Sequence, residues 1–241
     1  MKIINETKEP ASEYAPLGLN LLLGCTYGCR YCYGPETLHR SKQRFYNEPE
    51  LKKDALGRLE KDAEKLAGDE REILMSFVSD PYQPVEERTR ITRKAILILM
   101  RYRLRFTVLT KGGMSAVRDF ALLEDYDRAS FGTSIAFTNE NDAGRWEPEA
   151  ASVRDRMKAI EKANTLGIRT WISLDPVTKP EQALELVKIL HPIVNHWKIG
   201  NIFHRHSPIR RKGWGAFREE VTALLDDLGA DYYVKRRLAT A

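Results

Sequence analysis

All three cysteines of the chain lie close together, at Cys25, Cys29 and Cys32. A small, odd number of closely spaced cysteines does not form a disulfide framework, so metal or cluster ligation is the better interpretation. Three thiolates with CxxxCxxC spacing can bind three irons of a cubane [4Fe–4S] cluster. The fourth iron would then lack a protein ligand and could take a chelating small molecule. The spacing therefore predicts an iron–sulfur cluster with one open coordination position.

A structural zinc site is the main alternative, with the three cysteines and, for example, His39 as ligands. Structural zinc sites usually take their remaining ligands from a second closely spaced pair of Cys or His residues. No such pair follows nearby in the sequence. We therefore favour the cluster over zinc.

The composition is that of an ordinary globular protein of 241 residues, with 42% hydrophobic and 30% charged residues. The longest apolar run, residues 95–100, is far shorter than the roughly 20 helical residues that cross a bilayer. The first residues lack the apolar segment of a secretory signal. We therefore expect a soluble, cytoplasmic protein with no membrane partner.

Apolar, strand-like runs alternate along the chain with helix-length segments of 3.6-residue periodicity. The predicted strands are residues 17–23, 73–78, 106–109, 131–137, 170–174 and 197–202. The predicted helices are residues 49–66, 84–102, 115–123, 148–166, 180–190 and 216–228. Six strand–helix units indicate parallel strands joined by crossover helices.

An eight-unit parallel barrel typically needs about 250 residues, and this chain spends part of its length on a lead-in and a long first loop. The count therefore predicts an α/β fold with an open, partial (β/α)6 TIM-like barrel, and a doubly wound open sheet is the alternative. We expect one domain over residues 1–241, with the core barrel at about 17–203 and a basic extension at about 204–241. Because active sites of parallel barrels lie at the C-terminal ends of the strands, the cysteines should lie at the barrel mouth.

The residue before the third cysteine is aromatic, Tyr31, and the motif follows the first predicted strand. In spacing, aromatic residue and position the motif resembles that of the radical S-adenosylmethionine (SAM) superfamily. The resemblance implies a radical SAM core in which SAM binds the open iron through its amino and carboxylate groups. It also implies that a donor of flavodoxin or ferredoxin type reduces the cluster, and that one electron cleaves SAM to methionine and a 5′-deoxyadenosyl radical. Tyr31 would pack near the adenine.

Two downstream segments are similar to the spore photoproduct lyase-related branch of this superfamily, whose members are often labelled DNA repair photolyases. They are SDPYQPVE at residues 79–86 and Thr110-Lys111 after the third predicted strand. The likeness covers roughly residues 17–200. The segment 79–86 is moderately specific, whereas the cysteine motif is shared by the whole superfamily.

The branch implies roles for polar residues near the strand ends. Ser79 and Asp80 would lie where the methionyl amino group is held. Lys111 would pair with the methionyl carboxylate through a charge-assisted hydrogen bond. Ser134 would hydrogen-bond the ribose, and Asp175 would contact cofactor or substrate. Each has a plainer interpretation, as a turn residue, a solvated lysine or a serine that faces the barrel interior.

Tyr33 follows the third cysteine, as does a tyrosine that takes part in hydrogen-atom return in spore photoproduct lyases. It could also simply pack beside the cluster loop. Those lyases use a hydrogen-donor cysteine outside the cluster motif, and this chain has no fourth cysteine. The absence of that S–H group argues against repair of a thymine dimer by the same route.

Basic residues concentrate late in the chain, where they could neutralise phosphates or form a solvated surface. They are His204, Arg205, His206, Arg210, Arg211 and Lys212, followed by Lys235, Arg236 and Arg237. Residues 198–206 would bring polar groups near the mouth, for substrate binding or acid–base chemistry, or would form a basic surface loop.

For the substrate, a nucleic acid or nucleotide is our first prediction, and a peptide or small metabolite is the second. From another class of function, the chain could be a zinc-stabilised nucleic-acid-binding module without catalysis.

Overall fold

The computed structural model describes residues 2–202 and 211–241. Its strands are β1 (Ile4–Glu6), β2 (Leu17–Leu19), β3 (Leu22–Leu23), β4 (Glu50–Leu51), β5 (Ile73–Met75), β6 (Phe106–Thr110), β7 (Ala129–Ser134), β8 (Arg169–Val177), β9 (His196–Asn201) and β10 (Tyr232–Val234). Its α-helices are α1 (Gly34–Thr37), α2 (Lys42–Asn47), α3 (Ala55–Lys65), α4 (Val85–Thr89), α5 (Ile91–Arg101), α6 (Phe120–Glu124), α7 (Glu140–Trp146), α8 (Val153–Thr165), α9 (Pro180–Leu190), α10 (Arg211–Asp227) and α11 (Arg236–Ala239). Short 3-10 helices span Ala11–Glu13, Gly113–Asp119 and His191–Ile193.

Eight of these strands form one sheet, in the order β1-β2-β5-β6-β7-β8-β9-β10. From β2 to β10 every neighbouring pair is parallel, whereas β1 runs antiparallel to β2. The strand order follows the chain order and never reverses, so the sheet has no switch point of the kind that defines a doubly wound fold. This order confirms the predicted open, partial barrel, with β1 and β10 as its edges.

Helical spacing of apolar residues explains how the crossover helices cover the sheet. In α5, Ile91, Ala95, Ile96 and Leu99 recur at three- and four-residue intervals, and all four are buried. The helix α8 begins after Ser152, whose hydroxyl accepts a hydrogen bond from the Asp155 amide at 3.1 Å. The core lies between such helix faces and the apolar side chains of the strands.

Several predicted elements differ from the observed ones in their bounds. The first predicted strand is interrupted after Leu19, where the Asn20 side chain accepts hydrogen bonds from the amides of Phe77 and Val78 at 2.8 and 3.0 Å. These side-chain bonds replace the backbone pairing that would extend β2 beyond Leu19 and β5 beyond Met75, so β5 also ends earlier than predicted. The predicted helix over 84–102 is two helices, because Arg90 adopts a left-handed conformation with φ of 51°. The predicted helix over 148–166 begins only at Val153.

The predicted basic extension continues the sheet. Within it, β10 pairs in parallel with β9, with Tyr232 opposite Trp197 and Val234 opposite Ile199. The barrel therefore has one more parallel strand than the sequence predicted. Among the described residues, no helix combines the length and apolar character needed to cross a membrane.

Gly132 in β7 provides a test of this packing. An added Cβ there would lie 2.2 Å from the indole of Trp171, whose Nε1 donates to Thr107 at 2.7 Å. Gly132→Ala should therefore lower the free energy of unfolding by about 1–3 kcal/mol, as overpacked cores do. Gly144→Ala is the matched control, since nothing lies within 4 Å of its added Cβ and alanine favours the helix. Equal stability of the two variants in urea unfolding would contradict the packing.

Candidate functional site

The cysteine motif lies in an irregular loop, residues 24–33, between β3 and α1. Its backbone is held by hydrogen bonds from outside the loop. The amide of Cys25 donates to the Phe45 carbonyl at 3.0 Å, and that of Arg30 donates to the Trp146 carbonyl at 2.8 Å. The Tyr46 hydroxyl donates to the Cys29 carbonyl at 3.1 Å. The loop is thus fixed by segments distant in sequence.

Gln83, from the predicted motif at residues 79–86, clamps the start of the same loop. Its side chain is fully buried, its amide nitrogen donates to the Gly24 carbonyl at 3.0 Å, and its oxygen accepts from the Thr26 amide at 3.1 Å. Gly24 itself has φ of 104°, and a Cβ there would meet the Phe45 carbonyl at 2.6 Å, so only glycine fits. No local pattern in the sequence predicts this contact of Gln83, because its partners lie almost 60 residues earlier in the chain.

The three thiols lie in one loop, with Cys29 buried and Cys25 and Cys32 partly buried. Burial is the main cause that raises the pKa of each thiol, to about 12 for Cys29. Cys29 and Cys32 also raise the pKa of Cys25, because charged thiolates this near would repel one another. Gly34 donates its amide to the Cys32 sulfur at 3.3 Å. A cation shared by the three sulfurs would stabilise their thiolate forms.

This donor set fits an iron–sulfur cluster. Thiolates are the ligands that such clusters take, and three from one loop leave one iron free. A zinc ion needs its ligands about 2 Å from a single centre. In the part of the chain that the structure describes, no group of three or more His, Cys, Asp or Glu side chains is arranged to hold one metal ion. This holds for the three cysteines as well as for His39, so the preference for a cluster over zinc rests on the spacing and chemistry of the thiols.

Lys111 and Ser134 contact each other beside the cysteine loop, as expected if both contribute to one site with the cysteines. Lys111 directly follows β6, and Ser134 ends β7. The Lys111 ammonium donates to the Ser134 hydroxyl at 2.7 Å and lies 5.7 Å from the centre of the Tyr31 ring. A partly exposed cation and a hydroxyl at this position suit a carboxylate and a sugar hydroxyl as ligands.

A buried ion pair that the sequence analysis missed lies against these residues. Glu147 and Arg156 have side chains only 1% exposed, with 2.5 Å between their charged atoms. The Tyr31 hydroxyl donates to Glu147, and Lys111 lies 3.9 Å from it. Burial alone would raise the pKa of Glu147, but the charges of Arg156 and Lys111 hold it below its ordinary value. The sequence predicted a helix that begins at residue 148, and no local pattern shows that the charge of Glu147 is buried.

Asp80 links the segment after β5 to the end of β6. Its buried carboxylate accepts from the Thr110 hydroxyl at 2.5 Å, the Lys111 amide at 2.7 Å and the Tyr82 amide at 2.9 Å. Burial raises the pKa of Asp80, although these hydrogen bonds counteract the effect. Both carboxylate oxygens are thus occupied by the protein, and the contacts position the backbone that carries Lys111.

Ser79 and Tyr33 are both at least partly exposed. The Ser79 hydroxyl is half-buried and lies 3.0 Å from the Ser76 hydroxyl. Tyr33 is 50% exposed, and its hydroxyl donates to the Phe77 carbonyl at 2.6 Å. The structure leaves the phenol ring accessible. The predicted roles of both residues stay predictions.

Asp175, in β8, belongs to a second polar group that includes residues from both ends of the chain. Its Oδ2 accepts from the Tyr14 hydroxyl and from the Lys235 ammonium, both at 2.6 Å. Lys235 is buried, with its ammonium 3.4 Å from the centre of the Tyr14 ring. The expectation that Lys235 belongs to a basic surface is therefore wrong, because its charge is used internally.

Lys198, from β9, points toward the same group. Its ammonium donates to the carbonyls of Tyr14 and Glu13 at 2.5 and 3.1 Å, and burial lowers its pKa to about 8. Residues 203–206 and Arg210, also predicted near the mouth or in the basic cluster, lie outside the described residues.

The match to known proteins agrees with this geometry. The family model of the radical SAM superfamily matches the sequence over residues 19–193. The chain belongs to the radical SAM superfamily, whose members use a [4Fe–4S] cluster and SAM. The superfamily predicted from the cysteine motif is therefore confirmed.

Curated relatives extend the match at the sequence level. An uncharacterized protein of Methanocaldococcus jannaschii is 30% identical over 181 residues, which is 73% of this chain and 64% of the relative. An uncharacterized protein of Acidianus two-tailed virus is 26% identical over 180 residues, covering 70% of this chain and 58% of the relative. The matched part thus spans less than two thirds of either relative.

Solved structures share the fold. A point mutant of spore photoproduct lyase superposes with a TM-score of 0.74 at 14% identity, over 97% of this chain and 79% of that chain. SuiB of Streptococcus suis bound to SAM gives a TM-score of 0.65 at 12% identity, over 88% of this chain and 44% of that chain. The predicted likeness to the spore photoproduct lyase branch is confirmed at the level of the fold.

The Gln83 clamp can be tested through cluster retention. Gln83→Ala leaves the buried Gly24 carbonyl and Thr26 amide without these partners, which costs about 1–3 kcal/mol for each unsatisfied group. We expect the variant to keep less iron than the wild type after anaerobic reconstitution and desalting. Gln43→Ala, at an exposed position of α2, is the control and should keep the wild-type amount. Full iron retention by Gln83→Ala would show that the clamp is dispensable.

Proposed function

We propose that the chain is a radical SAM enzyme that abstracts a hydrogen atom from its substrate. The observation that carries the proposal is the placement of one loop with three cysteines beside the Lys111–Ser134 pair at the strand ends. When bound, the reduced cluster supplies the electron that cleaves SAM to methionine and a 5′-deoxyadenosyl radical. The protein contributes binding, orientation and the exclusion of water.

In this proposal Cys25, Cys29 and Cys32 bind three irons. Lys111 binds the methionyl carboxylate, because a half-buried ammonium beside the cysteine loop is a suitable partner for an anion. The Ser134 hydroxyl, now 2.7 Å from that ammonium, is near enough to take a second polar group of the same ligand.

The aromatic and acidic residues take the remaining roles. Tyr31 packs near the adenine, and Ser79 lies by the amino group. Asp80 acts through the backbone of Lys111, which it holds at 2.7 Å. Asp175, fixed by Tyr14 and Lys235, faces the substrate.

The proposed substrate is a nucleic acid or nucleotide. Support comes from the shared fold, since one matched structure is a double mutant of spore photoproduct lyase with bound AdoMet and dinucleoside spore photoproduct. A net charge of +5 also suits a phosphate-bearing substrate. With no cysteine outside the cluster motif, hydrogen-atom return falls to another group, and the accessible Tyr33 phenol is our candidate.

We also propose that residues 1–241 act as one domain in the cytoplasm, with a reduced flavodoxin or ferredoxin as electron donor. Support for one domain comes from Tyr14 and Lys235, which reach the same carboxylate from opposite ends of the chain. The three cysteines form no disulfide with one another, which suits a reducing compartment.

The cluster is tested by anaerobic reconstitution. The wild type should be brown and hold about four irons and four sulfides per chain. Cys29→Ala should lose most of this iron, because the chain has no spare cysteine. A colourless wild type with one zinc per chain would contradict the proposal. Release of 5′-deoxyadenosine that depends on an added nucleotide or oligonucleotide, in an anaerobic screen, would identify the substrate class.

Lys111→Ala separates cofactor binding from cluster assembly. The variant should keep the wild-type iron content but bind SAM about 10- to 150-fold more weakly, which corresponds to the roughly 1.5–3 kcal/mol of a charge-assisted hydrogen bond. Lys158→Ala, an exposed lysine of α8, is the control for loss of a positive charge. Calorimetric titration of each reconstituted protein gives the affinities. Wild-type affinity in Lys111→Ala would show that the lysine does not contact the cofactor.

A further inference from the structure

Glu147 links three parts of the chain that are far apart in sequence. Its carboxylate contacts the Tyr31 hydroxyl in the cysteine loop, Arg156 on α8 and the Lys111 ammonium after β6. The backbone on either side of Glu147 is bonded to the same loop, because Trp146 accepts from Arg30 at 2.8 Å and Glu149 donates to Tyr27 at 3.2 Å. The carboxylate is therefore fixed relative to the cysteines.

The contacts close into a ring. Arg156 donates to the Ser134 carbonyl at 3.0 Å and to the Ala151 carbonyl at 2.8 Å. The Ser134 hydroxyl in turn accepts from Lys111 at 2.7 Å. A shift of any member of this ring therefore changes the surroundings of the Lys111 ammonium.

Stability alone is a weak reason for this arrangement. Removing two charges from water costs several kcal/mol, and well-packed apolar residues often serve a core equally well. Here the buried pair instead lies against Tyr31, Lys111 and Ser134, the residues to which the proposed function gives cofactor contacts. Their position suggests that the pair orients these residues.

We propose that Glu147, itself held by Arg156, is a positioning residue that sets the Lys111 ammonium relative to the cysteine loop. The inference rests on the proposed function and adds to it the residue that joins the cluster site to the carboxylate site. Glu147 acts through Lys111 and need not touch the cofactor. Replacing its carboxylate by an amide would remove the anion that orients Lys111 and leave Arg156 as an uncompensated positive charge nearby.

A double-mutant cycle on SAM affinity tests this role, with Glu147→Gln made in the wild type and in Lys111→Ala. Residues that act through one another give non-additive effects. We expect Glu147→Gln to weaken SAM binding about tenfold in the wild type and less than about twofold in Lys111→Ala. Iron content, measured on each variant, should stay at the wild-type value. An equal loss in both backgrounds, or no loss in the wild type, would overturn the inference.

Tyr31→Phe provides a second test if Glu147→Gln does not fold, because it removes only the hydroxyl that donates to Glu147. It should weaken SAM binding several-fold in the wild type and much less in Lys111→Ala. Tyr46→Phe is the matched control, since its hydroxyl also donates to the cysteine loop but does not reach Glu147. Equal effects of the two tyrosine variants, or an additive cycle, would overturn the inference.

The two proposals fail in different ways. A reconstituted wild type that binds no SAM contradicts the proposed function and, with it, the inference. A wild type that binds SAM and shows an additive cycle contradicts the inference alone.

Discussion

The cysteine loop is a stretch of irregular backbone that must hold three thiols at fixed positions inside the protein. Residues 24–33 form no helix or strand, so their buried amides and carbonyls need partners elsewhere. Gln83 and Phe45 supply partners at the start of the loop, Tyr46 in the middle, and Trp146 between the last two cysteines. The segments that follow β3, β5 and β7 therefore all form hydrogen bonds that hold this loop in place.

The same requirement explains why the mouth of the barrel contains so many buried charges. Asp80 satisfies the amides of Tyr82 and Lys111, and Glu147 meets Tyr31 and Arg156. Burying each of these charges costs desolvation energy. Ion pairs with opposite charges and hydrogen bonds from N–H and O–H groups offset that cost. The resulting network leaves Lys111 with one side toward the protein and one side partly exposed. Such a cation is ready for an anionic ligand without a rearrangement of the backbone.

The two ends of the chain complete the barrel on its other side. Tyr14 precedes the first barrel strand and Lys235 follows the last one, yet both bond to Asp175 in β8. Glu13 reinforces this junction, since it accepts from the Arg236 amide at 2.6 Å. The opening between β1 and β10 is thus bridged by side chains and not by a strand pair, which leaves the sheet open while its interior stays organised.

The sequence by itself determined the six barrel strands, their parallel order and the place of the cysteines, because hydrophobic periodicity and ligand spacing are local properties. It also predicted that Lys111 and Ser134 lie together at the barrel mouth, because the C-terminal ends of parallel strands lie at the same edge of the sheet. Only the tertiary structure decided that Gln83 holds the loop, that Glu147 joins Arg156, and that Lys235 is buried. Gln83 and Lys235 have partners about 60 residues away, whereas the Glu147–Arg156 pair depends on burial. A charged residue has the same appearance in sequence whether water or a protein partner surrounds it. The sequence also did not predict the breaks at Asn20 and Arg90. Long-range hydrogen bonds interrupt the strand at Asn20, and a left-handed backbone conformation divides the helix at Arg90, so both override local propensity.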